Sequence, residues 1–156
     1  MARKAMVKEE EEEENPPKAN RAPRLHIEHI GRKRVAVSSI FFIQGTLSDK
    51  FRDGRSLEAY IAALNTGELD LPDPVRILEW PNLDYITLDH RRLYCLKEHS
   101  RTSRTELFTI ADVYKFPDDL MRLLEAGGIF HEFVWKFRRI SATLVPRKWG
   151  PNTSRH

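Results

Sequence analysis

Four charged or titratable side chains stand next to one another at a point where alternating apolar residues give way to a helix-like pattern. They are Asp89, His90, Arg91 and Arg92, within the stretch YITLDHRRLYCLKE. Two guanidinium groups and the unpaired N–H groups of a first helical turn together make a good site for a phosphate or a carboxylate. His90 can donate a hydrogen bond when protonated, or act as an acid or base near neutral pH. The stretch therefore predicts an anion site at a strand-to-helix junction.

The same residues also fit a role that is only local. Asp89 is the natural N-cap of the helix that follows. Arg92 would then pair with a carboxylate such as Asp84 or Glu79, and Arg91 would point to solvent. Cations in a first helical turn oppose the helix dipole, however, and cost stability unless an anion is close. On local features alone the local role is favoured, because charged helix starts are common and short motifs mislead.

Polar residues earlier in the chain are candidates for the same site. Arg52 and Arg55 lie in the stretch FRDGRS, and Gln44 follows an apolar run directly. The two arginines could reach the site, and Gln44 could line its rim. The two arginines fit equally well in a tight turn around Gly54, and Gln44 fits an ordinary loop.

A second candidate surface lies near the end of the chain, where FVWKFRRISATLVPRKW interleaves aromatic and basic residues. This pattern suits single-stranded nucleic acid, through base stacking and phosphate contacts. The basic residues that would bind are Lys136, Arg138 and Arg139. The favoured alternative is a core-facing stripe of aromatic and aliphatic side chains with a solvated basic back.

Sequence patterns predict the elements that must position these residues. Strands are expected in RVAVSSIFFI, VRILEW, YITL and ELFTI, with VRILEW and YITL paired as a hairpin across the turn PNLD. A helix should run from the N-cap Ser56 to Gly67, a second should follow Asp89, and a third should begin at Pro117. The stretch IFHEFVWKFRRISATLVPRKW is ambiguous between a helix and a final hairpin. The order predicts a small α+β domain with helices packed on a mixed sheet.

Composition sets the boundaries of this domain. Residues 1–24 are expected to form a disordered tail, because the glutamates Glu9 to Glu14 repel one another and NPPK cannot continue a helix. Residues 25–149 form the expected single domain, and residues 150–156 should fray. With 156 residues and 40% hydrophobic residues, the chain is long and apolar enough for one core.

The formal net charge is +3, and residues 1–20 contribute −2 of it (four basic and six acidic side chains), so the rest of the chain carries +5. This charge permits a phosphate-bearing partner without demanding one. No stretch is long and apolar enough to span a bilayer, so no membrane partner is expected. The chain starts without the apolar core of a signal peptide, and the single cysteine, Cys95, excludes an internal disulfide and a paired-cysteine zinc site. We therefore expect an intracellular protein, cytoplasmic or nuclear, without zinc.

The order of elements and two stretches resemble the ParB/sulfiredoxin-like superfamily over about residues 33–112. SLEAYIAALNTGELDLPDPVRILEW is similar to the helix and P-I-x-V strand of ParB N-terminal domains. YITLDHRRLYCLKE is similar to their G-E-R-R box, with Asp89 and His90 in place of Gly-Glu and Arg91–Arg92 as the two arginines. Sulfiredoxins carry G-C-H-R at this position, and His90 and Arg91 correspond to the His-Arg pair of that motif.

The resemblance implies a phosphate pocket that binds ATP or CTP with Mg²⁺, with Arg91 and Arg92 on the phosphates. Asp89 would hold the metal, and Asp89 and His90 would act in catalysis if the domain hydrolyses nucleotide or transfers phosphate. Asp89 replaces the sulfiredoxin cysteine, and Cys95, six residues further along the helix, cannot stand in for it. The alternative is a nucleic-acid- or protein-binding module with a degenerate pocket, and a third option is a purely structural domain.

Overall fold

The computed structural model describes residues 26–69, 74–144 and 146. The predicted tail at 1–24 and the predicted frayed end at 150–156 lie outside the described residues. Among the helices of the described part, none is long and apolar enough to cross a membrane.

The described chain contains nine main elements, which follow the predicted order. The strands are β1 (Glu28–Ala36), β2 (Ile40–Phe41), β3 (Val75–Glu79), β4 (Tyr85–Thr87) and β5 (Phe108–Lys115). The helices are α1 (Leu57–Thr66), α2 (His90–Ser103), α3 (Asp118–Ala126) and α4 (Ile129–Thr143). A single 3₁₀ turn at Val37–Ser39 separates β1 from β2, so the predicted first strand is two strands.

The five strands form one mixed sheet in the order β1-β5-β3-β4-β2. β1 pairs with β5 and β3 with β4 in antiparallel fashion, whereas β3 with β5 and β2 with β4 are parallel. The β3–β4 hairpin turns through Asn82 and Asp84, both at positive φ, which these two residue types tolerate best after glycine. The prediction of an α+β domain on a mixed sheet is confirmed.

Helix ends follow the signals in the sequence. The Ser56 hydroxyl accepts a hydrogen bond from the Ala59 N–H at 3.0 Å and so caps α1. Gly67 ends the same helix at φ 83°, a conformation in which a side chain would be strained. α3 begins after Pro117 as predicted.

Side chains are buried on both sides of the sheet. On one side, α1 and α2 pack on the sheet through Leu57, Leu64, Leu93 and Leu96, together with Cys95. On the other side, α3 and α4 cover β3 and β4, with Phe130 and Phe137 as the buried anchors. Side chains of β3 alternate between the two layers: Val75 and Ile77 belong to the first, Leu78 belongs to the second, and so Ile77 and Leu78 are both buried.

The ambiguous C-terminal stretch forms a helix, α4, up to Thr143. Trp80 explains why: its ring makes edge-on contacts with Phe130 at 4.9 Å and Phe137 at 5.2 Å between centroids. Its indole N–H also donates to the Phe130 carbonyl oxygen at 3.0 Å. Residues 130 and 137 are two helical turns apart, so only a helix brings both to one indole.

Candidate functional site

The β4–α2 junction is held by hydrogen bonds from both flanking strands. The Asp89 N–H donates to the buried Thr87 hydroxyl at 2.9 Å, and the Leu88 N–H donates to the Arg76 carbonyl oxygen at 2.8 Å. The turn is therefore tied to β3 before α2 begins at His90.

An open cleft of about 610 Å³ lies at this junction. We call it the arginine cleft, because four arginines line it: Arg52, Arg76, Arg91 and Arg92. Gln44, Asp89 and His90 also line it. The structure thus brings together every predicted residue of the anion site except Arg55, which does not line the cleft.

Asp89 occupies the N-cap position of α2, but its side chain makes no capping hydrogen bond. Its carboxylate instead accepts from the Arg76 guanidinium at 2.6 Å and from the Arg76 backbone N–H at 2.8 Å. Burial by itself raises the pKa of Asp89, but the hydrogen bonds and charge of Arg76 outweigh it and leave that pKa below its usual value. Asp89 is thus the N-cap residue, as predicted, but its carboxylate anchors an arginine of the neighbouring strand instead of capping the helix.

Arg76 is a cleft residue that the sequence patterns did not single out. It lies 13 residues from Asp89, outside the run of four charged or titratable side chains. The hairpin was the signal that could have found it, because the pairing of Ile77 with Thr87 places Arg76 beside the start of α2.

Backbone carbonyl groups hold Arg91 and Arg92. Arg91 donates to the Lys50 carbonyl oxygen at 2.9 Å, and Arg92 donates to the Pro74 carbonyl oxygen at 3.3 Å. The nearest carboxylate oxygen to Arg92 is that of Asp89, at 3.9 Å. The predicted pairing of Arg92 with Asp84 or Glu79 is therefore absent, and Arg91 does not point to solvent. Backbone carbonyl groups orient both guanidinium groups, and among the described residues no carboxylate closer than 3.9 Å neutralises Arg92.

His90 is neutral and structural in this arrangement. Its Nε2 accepts the Ile43 N–H at 3.2 Å, and its ring stacks on Phe42 with centroids 6.0 Å apart. Burial lowers the pKa of His90 to about 4, against a smaller opposing effect of Asp89. With this lowered pKa the ring is uncharged at pH 7, its Nε2 lone pair is occupied, and the proton is on Nδ1. A catalytic role for His90 stays a prediction.

The polar residues before α1 that were predicted for the anion site differ in whether they can contact a ligand. Arg52 is exposed and has no hydrogen bond or ion pair with any residue the structure describes. Arg55 pairs with Asp53 at 2.9 Å and lies over the Phe51 ring at 5.1 Å. Gln44 donates to the Thr46 carbonyl oxygen at 3.0 Å. Arg52 is thus free to meet a ligand, whereas Arg55 serves the turn.

Metal ligands are sparse around the cleft. Across residues 26–69, 74–144 and 146, no group of three or more His, Cys, Asp or Glu side chains could hold a metal ion. Both carboxylate oxygens of Asp89 already accept hydrogen bonds from Arg76. A Mg²⁺ ion on Asp89 would have to displace that arginine.

Cys95 belongs to the core. Its side chain is fully buried, and burial raises the pKa of its thiol to about 12. The thiolate form that a nucleophile needs is therefore absent at neutral pH.

The second candidate surface, on α4, has aromatic residues both in the core and on the exposed side of the helix. Phe137 is buried, while Trp135 is 61% exposed with the Arg139 guanidinium 5.5 Å from its ring centre. Arg138 donates to the Asn82 carbonyl oxygen at 3.3 Å, and the Lys136 ammonium lies 5.3 Å from the Phe133 ring. Trp135 is the aromatic residue of this surface that a base could stack on most freely.

Comparisons with known proteins give little to set beside this geometry. No family model matches the chain, and no curated protein matches it. Among solved structures, protein Atu1540 from Agrobacterium tumefaciens matches with a TM-score of 0.35 and 12% sequence identity. The match covers 69% of this chain and 50% of that chain, so this chain spans about half the length of that protein.

Proposed function

We propose that this chain is a ParB/sulfiredoxin-like domain that binds a phosphate-bearing ligand, specifically a nucleotide, in the arginine cleft. The observation that carries the proposal is the convergence of Arg52, Arg76, Arg91 and Arg92 on one open cleft. Guanidinium groups bind phosphate through paired, charge-assisted hydrogen bonds, which are stronger than neutral ones.

The balance of charge in the cleft supports an anionic ligand. Asp89 is engaged with Arg76, and Asp53 with Arg55. Among the described residues, Arg52 and Arg91 have no ion pair, and Arg92 has only a long one, 3.9 Å to an Asp89 carboxylate that Arg76 already engages. An incoming phosphate would supply the missing counter-charge and would also meet the N-terminal N–H groups of α2.

The shape of the cleft is compatible with a nucleotide. Its volume of about 610 Å³ lies within the range of small-molecule pockets. Arg91 and Arg92 are already oriented by the Lys50 and Pro74 carbonyl groups, so binding orders fewer side chains and loses less entropy.

The geometry favours binding over acid–base catalysis. His90 is neutral and uses its Nε2 lone pair to accept the Ile43 N–H, which leaves its Nδ1–H to donate to a ligand oxygen. Nucleotide hydrolysis or phosphoryl transfer, with Asp89 or His90 in a catalytic role, stays a prediction. We propose that the arginines make the main ligand contacts and that His90 positions the neighbouring backbone through its hydrogen bond with Ile43.

A thermal-shift screen tests this function. ATP and CTP, each with and without Mg²⁺, should raise the melting temperature by about 5 °C or more at a hundredfold excess over Kd. Arg91→Ala should abolish the shift, because it removes an oriented guanidinium. Arg122→Ala is the control, because Arg122 is an exposed arginine of α3 outside the cleft. If no nucleotide stabilises the protein, or if both variants behave alike, the proposal fails.

A second candidate function uses the α4 surface to bind single-stranded nucleic acid. The exposed Trp135 beneath Arg139 favours it, because an aromatic face with an adjacent cation suits base stacking. Arg138→Ala combined with Arg139→Ala should then weaken oligonucleotide binding and reduce its salt dependence. Unchanged binding in that double variant would exclude this surface.

A further inference from the structure

The sheet has an open face on β1 and β5 that the helices do not cover. In this face Arg32 lies opposite Asp112, and Asp112 lies opposite Arg76 of β3. Arg32 donates to the Asp112 carboxylate at 3.0 Å. The side chains of three neighbouring strands thus form a row that leads from the edge of the sheet to the arginine cleft.

A second cleft, of about 630 Å³, follows this row. We call it the sheet-face groove, and Arg32, Pro74, Arg76, Asp89, Arg92 and Asp112 line it. Arg76, Asp89 and Arg92 line the arginine cleft as well. A ligand can therefore extend from one cleft into the other past a shared wall.

Exposed apolar and aromatic side chains flank the groove on the same face. Arg34 and Ile110 form the next cross-strand pair after Arg32 and Asp112, followed by Phe108. Phe108 is 36% exposed and Ile110 is 46% exposed. The Arg34 guanidinium lies 4.1 Å from the Phe108 ring centre. A flat aromatic surface with a stacked guanidinium is a platform for nucleic-acid bases.

Charge on the combined surface is predominantly positive. Six arginines lie along it: Arg32, Arg34, Arg52, Arg76, Arg91 and Arg92. The carboxylates that line the two clefts are Asp53, Asp89 and Asp112. This balance suits a polyanion, and the adjacent stacking platform distinguishes one with bases from an acidic peptide.

We propose that the sheet-face groove is an extension subsite for single-stranded nucleic acid. One phosphate of the strand sits in the arginine cleft, a neighbouring phosphate contacts Arg32, and a base stacks on Phe108 beside Arg34. The inference rests on the proposed function, since the arginine cleft supplies the first phosphate subsite. A single strand suits this face because its bases are free to stack on a side chain, whereas those of a duplex are paired and enclosed.

Fluorescence anisotropy with a short labelled oligothymidylate tests this proposal. The intact chain should bind it with a clear salt dependence. Arg32→Gln combined with Arg34→Gln should weaken binding by tenfold or more and lower the salt slope by about 0.7 for each phosphate that no longer meets an arginine. The matched control is Arg101→Gln combined with Arg122→Gln, which removes the same charge from exposed positions of α2 and α3 outside both clefts and should leave binding unchanged.

Phe108→Ala separates stacking from charge. We expect about tenfold weaker oligonucleotide binding, because the base has no ring to stack on, with an unchanged salt slope. Circular dichroism and thermal melting establish that each variant is folded. If the alanine variant is not, Phe108→Leu, which keeps an apolar side chain but no aromatic face, replaces it and should weaken binding likewise.

The outcomes separate this proposal from the function on which it rests. If the groove variant loses oligonucleotide affinity but keeps its thermal shift with ATP or CTP, both are supported. If mononucleotides bind through Arg91 but the groove variant and the control variant both bind oligonucleotide as tightly as the intact chain, the subsite is overturned and the proposed function stands. Equal competition by oligoglutamate would overturn the assignment to nucleic acid. If neither mononucleotide nor oligonucleotide binding responds to Arg91→Ala, both proposals fail.

Discussion

At the scale of single residues, the site depends on how Asp89 and Arg76 engage each other. The carboxylate of Asp89 contacts both the guanidinium and the backbone N–H of Arg76. This pairing fixes an arginine in the wall of the cleft and ties β3 to the start of α2. It also explains why an acid stands directly before His90 and two arginines: its partner is on the neighbouring strand.

Asp89→Asn distinguishes arginine anchoring from metal binding. We expect a loss of about 1–3 kcal/mol in the free energy of unfolding, because a charged hydrogen-bonded pair is replaced by a weaker one. The ratio of nucleotide affinities with and without Mg²⁺, from titration calorimetry, should be the same in the variant and the parent. A ratio that collapses toward one in the variant would instead assign the metal to Asp89.

His90 makes folding stability depend on pH in a defined direction. Its pKa falls from 6.5 to about 4 on folding, so between these values the unfolded chain binds more protons than the folded one. The stability that neutral His90 contributes to the folded state is therefore fully present above pH 6.5 and is lost as pH falls toward 4.

His90→Gln tests this coupling, since glutamine can still accept the Ile43 N–H but does not titrate. From pH 7 to pH 5, the parent should lose about 1 kcal/mol more stability than the variant, allowing for partial solvent screening of the ring. Urea unfolding at the two pH values measures the difference. Equal losses in the two proteins would show that His90 titrates normally in the folded state.

At the scale of elements, α4 packs on the sheet through one face along most of its length, from Ile129 to Ser141, and its aromatic residues contribute unequally. Phe137 is buried against Trp80, whereas Trp135 on the same helix is mostly exposed. The free energy that docks α4 therefore depends on the position of each aromatic residue and not on their number.

Two alanine variants compare these positions directly. Phe137→Ala should cost about 3–5 kcal/mol, because it leaves a cavity in the core. Trp135→Ala should change stability by about 0.5 kcal/mol or less, as for other exposed residues. Denaturant unfolding measures both. Similar losses would mean that Trp135 is buried in solution.

Element prediction succeeded where local signals agree and failed where packing decides. Ser56 and Gly67 mark the ends of α1, and the turn between VRILEW and YITL gives the β3–β4 hairpin. α4 could not be predicted, because its form depends on Trp80, which is distant in sequence from its partners Phe130 and Phe137.

At the scale of the whole molecule, the sheet order brings separate stretches to one place. Asp89, His90, Arg91 and Arg92 were identifiable from their types and spacing, and the fold places Arg52 beside them. Arg76 could have been found from the predicted hairpin, which places it beside the start of α2. The sheet-face groove could not be identified, because it depends on strand pairings between residues far apart in sequence. The mixed topology thus joins β1, β3 and the start of α2 along one basic surface.

The measurement that tests the central claim most directly is an NMR titration that follows the side-chain Nε–H resonances of the arginines as sodium tripolyphosphate is added. We predict saturable shifts at Arg91, Arg92 and Arg52, with Arg138 and Arg139 on α4 unaffected. Resonances that do not move, or that move only on α4, would contradict the assignment of phosphate binding to the arginine cleft.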